Sequence, residues 1–165
     1  MSKKQSRVYL GIGSNIGDRK AYIDKAILVL EKNIHIKIKQ VSALYETDPV
    51  GGPVQGKFLN GVIELKTILK PHELLNALQD IELRLGRIRS GLKNQPRTLD
   101  LDILLFNDLI LETQRLIIPH PLIQDRFFVL KPFAQIAPDI VHPVLKKTIK
   151  DIFAALNYDE VNDAL

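Results

Sequence analysis

The chain has 165 residues, 45% of them hydrophobic and 25% charged, with a formal net charge of +4. That is the make-up of one ordinary globular domain with enough material for a proper core. It has no cysteine, which excludes a disulfide framework and any thiolate metal site.

The opening Lys3-Lys4-Gln5-Ser6-Arg7 is basic but has no apolar stretch behind it, and no run approaches a membrane span. The expectation is a single domain over residues 1–165 of a cytoplasmic protein. Val8 to Ser14 reads as a first strand running into a glycine turn. Asp18 then starts a helix with Tyr22, Ile23, Ala26, Ile27 and Leu30 at helical spacing. Ile34 to Lys39 alternates apolar and charged residues, and the spacing predicts a second strand continuing to Tyr45. Glu46 to Lys57, with its glycines and prolines, is a long loop of the kind that is often functional. Phe58 to Leu65 reads as a third strand.

Pro71 opens a second helix, where its missing N–H costs nothing. Leu74, Leu75, Leu78, Ile81 and Leu85 form its apolar stripe, and Gly86 ends it. A basic loop with Arg87, Arg89, Lys93 and Arg97 leads to a fourth strand, Asp100 to Phe106. The order βαββαβ is the split βαβ, or ferredoxin-like, arrangement. A short hairpin around Asn107-Asp108, a strand near Phe127–Leu130 and short C-terminal helices complete the reading.

Asp100 and Asp102 stand two apart in an apolar strand, so they share one face while Leu99, Leu101 and Ile103 pack into the other. Two such carboxylates resist burial unless a cation sits between them, and Mg²⁺ suits one or two carboxylates completed by water and phosphates. A solvated face paired with arginines explains the pair equally well. The basic loop just before it adds the other usual part of phosphoryl transfer, since arginine matches phosphate oxygens bidentately. His120, held between Pro119 and Pro121, suits a phosphate contact or a purely structural role. His35, His72 and His142 show no metal-ligand spacing. Gly51 to Lys57 imitates a P-loop but continues with Phe58, without the hydroxyl or the helix that motif needs. Gly11 to Gly17 is one residue out of register for a dinucleotide fingerprint and reads as a tight turn.

Five segments together, Gly11-Ile12-Gly13-Ser14-Asn15, Tyr45-Glu46-Thr47-Asp48-Pro49, Phe58-Leu59-Asn60, Pro96 to Ile103, and Pro119-His120 with Arg126, follow the order and spacing of one family. The sequence resembles 6-hydroxymethyl-7,8-dihydropterin pyrophosphokinase of folate biosynthesis. The resemblance implies an α/β (α+β) fold: a ferredoxin-like core, a mainly antiparallel sheet and helices on both faces. It implies transfer of pyrophosphate from ATP to the pterin hydroxymethyl group, releasing AMP. Asp100 and Asp102 would bind two Mg²⁺ ions. The pterin would stack between Phe58 and Phe128, with Thr47, Val50, Asn60 and Asp100 around it. Gln79, Glu82, Arg89, Lys93, Arg97, Ile103, Arg115, His120 and Arg126 would take ATP. Arg87 and Arg89 would act catalytically from a mobile loop that closes over the reactants. Asn94, Ile117 and Pro121 depart from the residues usual at their positions. The expected partners are these small molecules alone, with no nucleic acid and no membrane, and the expected state is a monomer. The rivals are a Mg²⁺-dependent phosphohydrolase and a ferredoxin-like RNA-binding module, the latter needing aromatics exposed on the sheet.

Overall fold

The structure, a computed structural model, describes residues 3–156. β1 (Ser6–Ser14) is followed by α1 (Arg19–Lys32), β2 (Ile36–Val41), β3 (Tyr45–Thr47), β4 (Phe58–Thr67), α2 (Pro71–Arg84) and β5 (Asp100–Phe106). A small hairpin, β6 (Leu111–Glu112) with β7 (Ile117–Ile118), leads through a 3-10 turn at Ile123–Asp125 to α3 (Phe127–Ile136) and α4 (Ile149–Ala155).

Local chemistry sets the first two helices. The Asp18 carboxylate caps α1 by accepting the Ala21 N–H at 3.0 Å. Pro71 opens α2, the Glu73 carboxylate reaches back to the Lys70 N–H at 2.8 Å, and Gly86 leaves the helix at a φ of +88°.

The main sheet runs β2-β4-β1-β5, with β3 added beside β4, and every pairing in it is antiparallel. Each βαβ unit is therefore split by a strand of the other. Alternation along the strands builds two cores. Val8, Leu10, Leu65, Leu101 and Ile103 pack with Ile23 and Leu30 of α1 and Leu74 and Leu78 of α2. On the other face Tyr9, Val62, Leu104 and Leu105 meet Leu130 and Phe133 of α3 and Ile149 of α4, with the Tyr9 and Phe133 rings 4.8 Å apart. Helices thus cover both sheet faces, as expected.

β5 contains one bulge. Ile103 pairs with Leu10 and Leu105 with Tyr9, so Leu104 has no partner in the ladder. Leu104 and Leu105 consequently both turn toward α3, while Phe106 returns to the α1–α2 side.

Four expectations are corrected. Ile34 is 90% exposed and precedes β2. That strand stops at Val41 because the Ser42 hydroxyl takes the Val62 N–H at 2.8 Å, and pairing resumes only at Tyr45. Asn107 does turn the chain, but its N–H and carboxamide bond back to the Arg7 backbone, so the hairpin forms later between β6 and β7. Phe127–Leu130 is helix, not strand: Val129, Leu130 and Phe133 of α3 are buried at helical spacing against the sheet.

Candidate active site

Asp100 and Asp102 open β5 and face away from Leu101 and Ile103, as their alternation requires. Opposite them on β1 lie Gly13 and Gly11. The glycines read as a tight turn are still strand here, and the turn comes at Gly17 with a φ of +66°. Their effect is steric. No side chain on β1 fills the floor beside the carboxylates, and a Cβ at Gly13 would stand 2.6 Å from Asn60 Oδ1.

Two cavities meet at this floor. One of about 310 Å³ is lined by Gln79, Glu82, Arg89, Ile103, Arg115 and His120, together with Arg87 and Asp102. The other, about 280 Å³, is lined by Thr47, Val50, Phe58, Asn60 and Phe128. Asp100 lines both. Arg97 and Arg126, expected with the nucleotide group, line the aromatic cavity instead, their guanidiniums 5.3 Å from the Phe58 ring centre and 5.5 Å from that of Phe128. Lys93 is exposed and lines neither cavity. Inside the aromatic cavity the Asn60 amide donates to Thr47 Oγ1 at 2.7 Å. That fixes the carboxamide orientation.

Charge is the dominant feature. Glu82 is 2% exposed, yet it sits on the buried stripe of α2 four residues beyond Leu78. Its carboxylate accepts the Leu101 N–H at 2.8 Å, Arg87 Nη1 at 2.7 Å and Arg89 Nη2 at 2.6 Å. Arg87 Nη1 also reaches Asp100 Oδ1 at 2.8 Å. Burial, reinforced by the charges of Asp100 and Glu82, pushes the Asp102 carboxyl up to about 7. Burial and the nearby Arg126 push the His120 imidazole down to about 4. His120 is therefore neutral, and because Nδ1 accepts the Leu122 N–H at 3.2 Å, its proton is on Nε2. The backbone of the same residue is anchored by the bulge: its N–H donates to the unpaired Leu104 carbonyl at 2.9 Å.

Asn15, which sequence reasoning missed, ties the surrounding loops together. It is 6% exposed at the end of β1. Its amide donates to Gln55 Oε1 at 2.8 Å and to the Gly56 carbonyl at 3.1 Å, while Oδ1 accepts the Arg97 N–H at 2.8 Å. Gln55 in turn donates to the Asn94 carbonyl at 2.9 Å, and a Cβ at Gly52 would collide with that same carbonyl at 2.4 Å. The long loop and the basic loop are thus one interlocked layer above the aromatic cavity. The only signal in the sequence is an asparagine in a Gly-Ser-Asn-Ile-Gly stretch, whose partners are distant in the chain.

The donor set fits Mg²⁺. Among the described residues no cluster of three metal-ligating side chains forms, so a cation here would be held by the two aspartates and completed by phosphates and water. Arg87 already supplies a positive charge to Asp100 at 2.8 Å. The RNA-binding alternative finds no support: Tyr9, on the sheet, is 3% exposed beneath α3. No helix among the described residues is long and apolar enough to cross a membrane.

The model of one protein family, 7,8-dihydro-6-hydroxymethylpterin-pyrophosphokinase (HPPK), matches residues 9–138. The 2-amino-4-hydroxy-6-hydroxymethyldihydropteridine pyrophosphokinase of Bacillus subtilis is 48% identical over 132 residues, spanning 80% of this chain and 78% of that protein. The enzyme of the same name from Pseudomonas aeruginosa is 47% identical over 137 residues, 83% of this chain and 84% of its own. A crystal structure of a Plasmodium falciparum HPPK-DHPS triple mutant superimposes with a TM-score of 0.72 at 17% identity. It covers 93% of this chain, which spans only 43% of that longer one, and so speaks for the fold alone.

Proposed function

The chain belongs to the 7,8-dihydro-6-hydroxymethylpterin-pyrophosphokinase family, and from that premise we propose that its aromatic cavity takes the pterin and its Gln79–His120 cavity takes ATP. It is an ATP-dependent diphosphokinase of folate biosynthesis, transferring pyrophosphate from ATP to the hydroxymethyl group of the dihydropterin. The single observation that carries the assignment of sites is that Asp100 lines both cavities, so the two reactants would meet over its carboxylate.

In this reading Phe58 and Phe128 grip the flat ring, and the Asn60–Thr47 pair hydrogen-bonds its polar edge. Arg115 and the neutral Nε2–H of His120 donate to the nucleotide without adding a proton that could be lost near pH 7. The pterin hydroxyl forms a bond to the β-phosphorus, the bond from that phosphorus to the oxygen shared with the α-phosphate breaks, the hydroxyl proton is released, and AMP departs. Arg87 and Arg89 neutralise charge on the transferring group and exclude water as their loop closes. Mg²⁺ held by Asp100 and Asp102, two ions in this reading, supplies charge neutralisation and an acidified hydroxyl when bound. Both cavities are built from one chain, so a monomer is the proposed working unit.

The test is nucleotide analysis after incubation with ATP, Mg²⁺ and 6-hydroxymethyl-7,8-dihydropterin. AMP equal to pterin diphosphate, formed only when pterin is present, is the expected result. ADP, or phosphate release without an acceptor, would refute it. For the sites, Phe128→Ala should raise the pterin KM and leave ATP binding intact.

A further inference from the structure

Glu82 and Arg87 are joined in a way that neither a nucleotide ligand nor a simple catalytic arginine requires. The Glu82 carboxylate is heavily engaged: Oε1 takes the Leu101 N–H and Arg87, and Oε2 takes Arg89, so three of its roughly four acceptor positions are used. Its bonds go to the protein's own backbone and arginines, and as an anion beside a polyphosphate it would repel the phosphates. Arg87 shares one nitrogen, Nη1, between Glu82 Oε1 at 2.7 Å and Asp100 Oδ1 at 2.8 Å. Its side chain is only 13% exposed. The guanidinium is the closer of two positive charges on Asp100 and the one hydrogen-bonded to it, Arg97 Nε standing 3.8 Å from Oδ2.

We propose that Arg87 is the exchangeable cation of Asp100: it holds the carboxylate in the metal-free protein and leaves when Mg²⁺ binds there, while Glu82 is the positioning residue that keeps it within reach of the phosphates. The proposal rests on the reading of Asp100 as a metal ligand. A guanidinium and a divalent ion cannot both sit on one carboxylate oxygen without strong repulsion. Five donors in a planar fork let Arg87 give up Asp100 and retain Glu82 by a small rotation, and its freed N–H groups then face the nucleotide cavity that it lines. Arginine delivery is thereby tied to metal loading. Glu82 stays fixed throughout because α2 carries it and the Leu101 N–H of β5 pins it.

The experiment is Mn²⁺ binding to the nucleotide-free full-length protein, followed by electron paramagnetic resonance. Loss of a neighbouring positive charge should tighten Mn²⁺ in Arg87→Ala by about tenfold, the scale on which an adjacent arginine shifts an aspartate. Arg87→Lys, which keeps the charge, should stay close to wild type, and Asp100→Asn should bind far more weakly. Unchanged or weaker binding by Arg87→Ala, with Asp100→Asn impaired, overturns the exchange but leaves the metal site standing. Unchanged binding by Asp100→Asn overturns the metal reading itself. Should Arg87→Ala fail to fold, the wild-type protein decides: the Arg87 side-chain ¹⁵N signal should shift as Mg²⁺ is added, and a signal that stays in place refutes the exchange.

Discussion

Asn15→Ala isolates the coupling between the two loops above the aromatic cavity. The substitution removes three side-chain hydrogen bonds, to Gln55, Gly56 and Arg97, from a residue that is 6% exposed. Gln55 and the exposed Gly56 can turn to water, but the Arg97 N–H loses its partner in a half-buried position. At roughly 1 kcal/mol for each net bond and 1–3 kcal/mol for a stranded group, the cost is about 2–5 kcal/mol. For a domain of this size that corresponds to a fall in Tm of roughly 5–15 °C. Local opening sets a ceiling, because bonds that only dock the loops cannot contribute more than the docking itself. The informative assay is therefore hydrogen exchange alongside thermal melting. Exchange should accelerate in residues 48–57 and 87–98 together, while the β1–β4 ladder keeps its protection. Asn15→Asp retains the acceptor for the Arg97 N–H and loses the donors, so it should loosen residues 48–57 selectively. Unchanged exchange in both loops of Asn15→Ala would refute the coupling, whatever happened to Tm.

Further outcomes follow from the site. Gly13→Ala places a Cβ 2.6 Å from Asn60 Oδ1, which should displace Asn60 from Thr47 and raise the pterin KM about tenfold, the worth of one hydrogen bond, with the ATP KM unchanged in steady-state kinetics. Without metal, the raised Asp102 carboxyl favours the folded protein while protonated; that contribution is complete below the ordinary carboxyl range and is lost as pH rises through about 7. Mg²⁺ needs the carboxylate, so its stabilisation of the protein in thermal melts should grow from about pH 5 to 8 with protons released on binding. His120, held down to about 4, should remain the neutral Nε2–H tautomer in ¹⁵N NMR at pH 6, and a titration near 6.5 would contradict its described surroundings. Lys93→Ala should leave the KM for ATP within about twofold, as befits an exposed side chain.

The parts of this site readable from the sequence are those set by local rules. Alternation put Asp100 and Asp102 on one face and Leu101 and Ile103 on the other, and β5 obeys it up to the bulge. The helices that begin at Asp18 and Pro71 announce their own caps. What escaped depends on pairing across the chain. Gly11 and Gly13 look like turn residues until they are seen opposite the aspartates. Phe127–Leu130 is apolar and aromatic enough for a strand, and only the packing of Val129, Leu130 and Phe133 on the sheet selects a helix. Glu82 did leave a trace, as a carboxylate on the buried stripe of α2; its three donors come from residues 87, 89 and 101 and could not be inferred from spacing.

The unpaired Leu104 in β5 bears on how such a chain can change length. Loops elsewhere can gain or lose residues at a modest entropic cost. Here a single deletion between the aspartates and Phe106 would absorb the bulge and leave an evenly alternating strand, whereas a single insertion would reverse the parity of one half of the strand against the other. After an insertion either both carboxylates would turn into the layer occupied by Leu78 and Ile81, or Phe106 would leave it. The deletion would also remove the spare carbonyl that fixes the His120 backbone. Drift in length is therefore expected to accumulate in the segments before Asp100 and after Phe106, while the interval between them stays constant at the level of single codons.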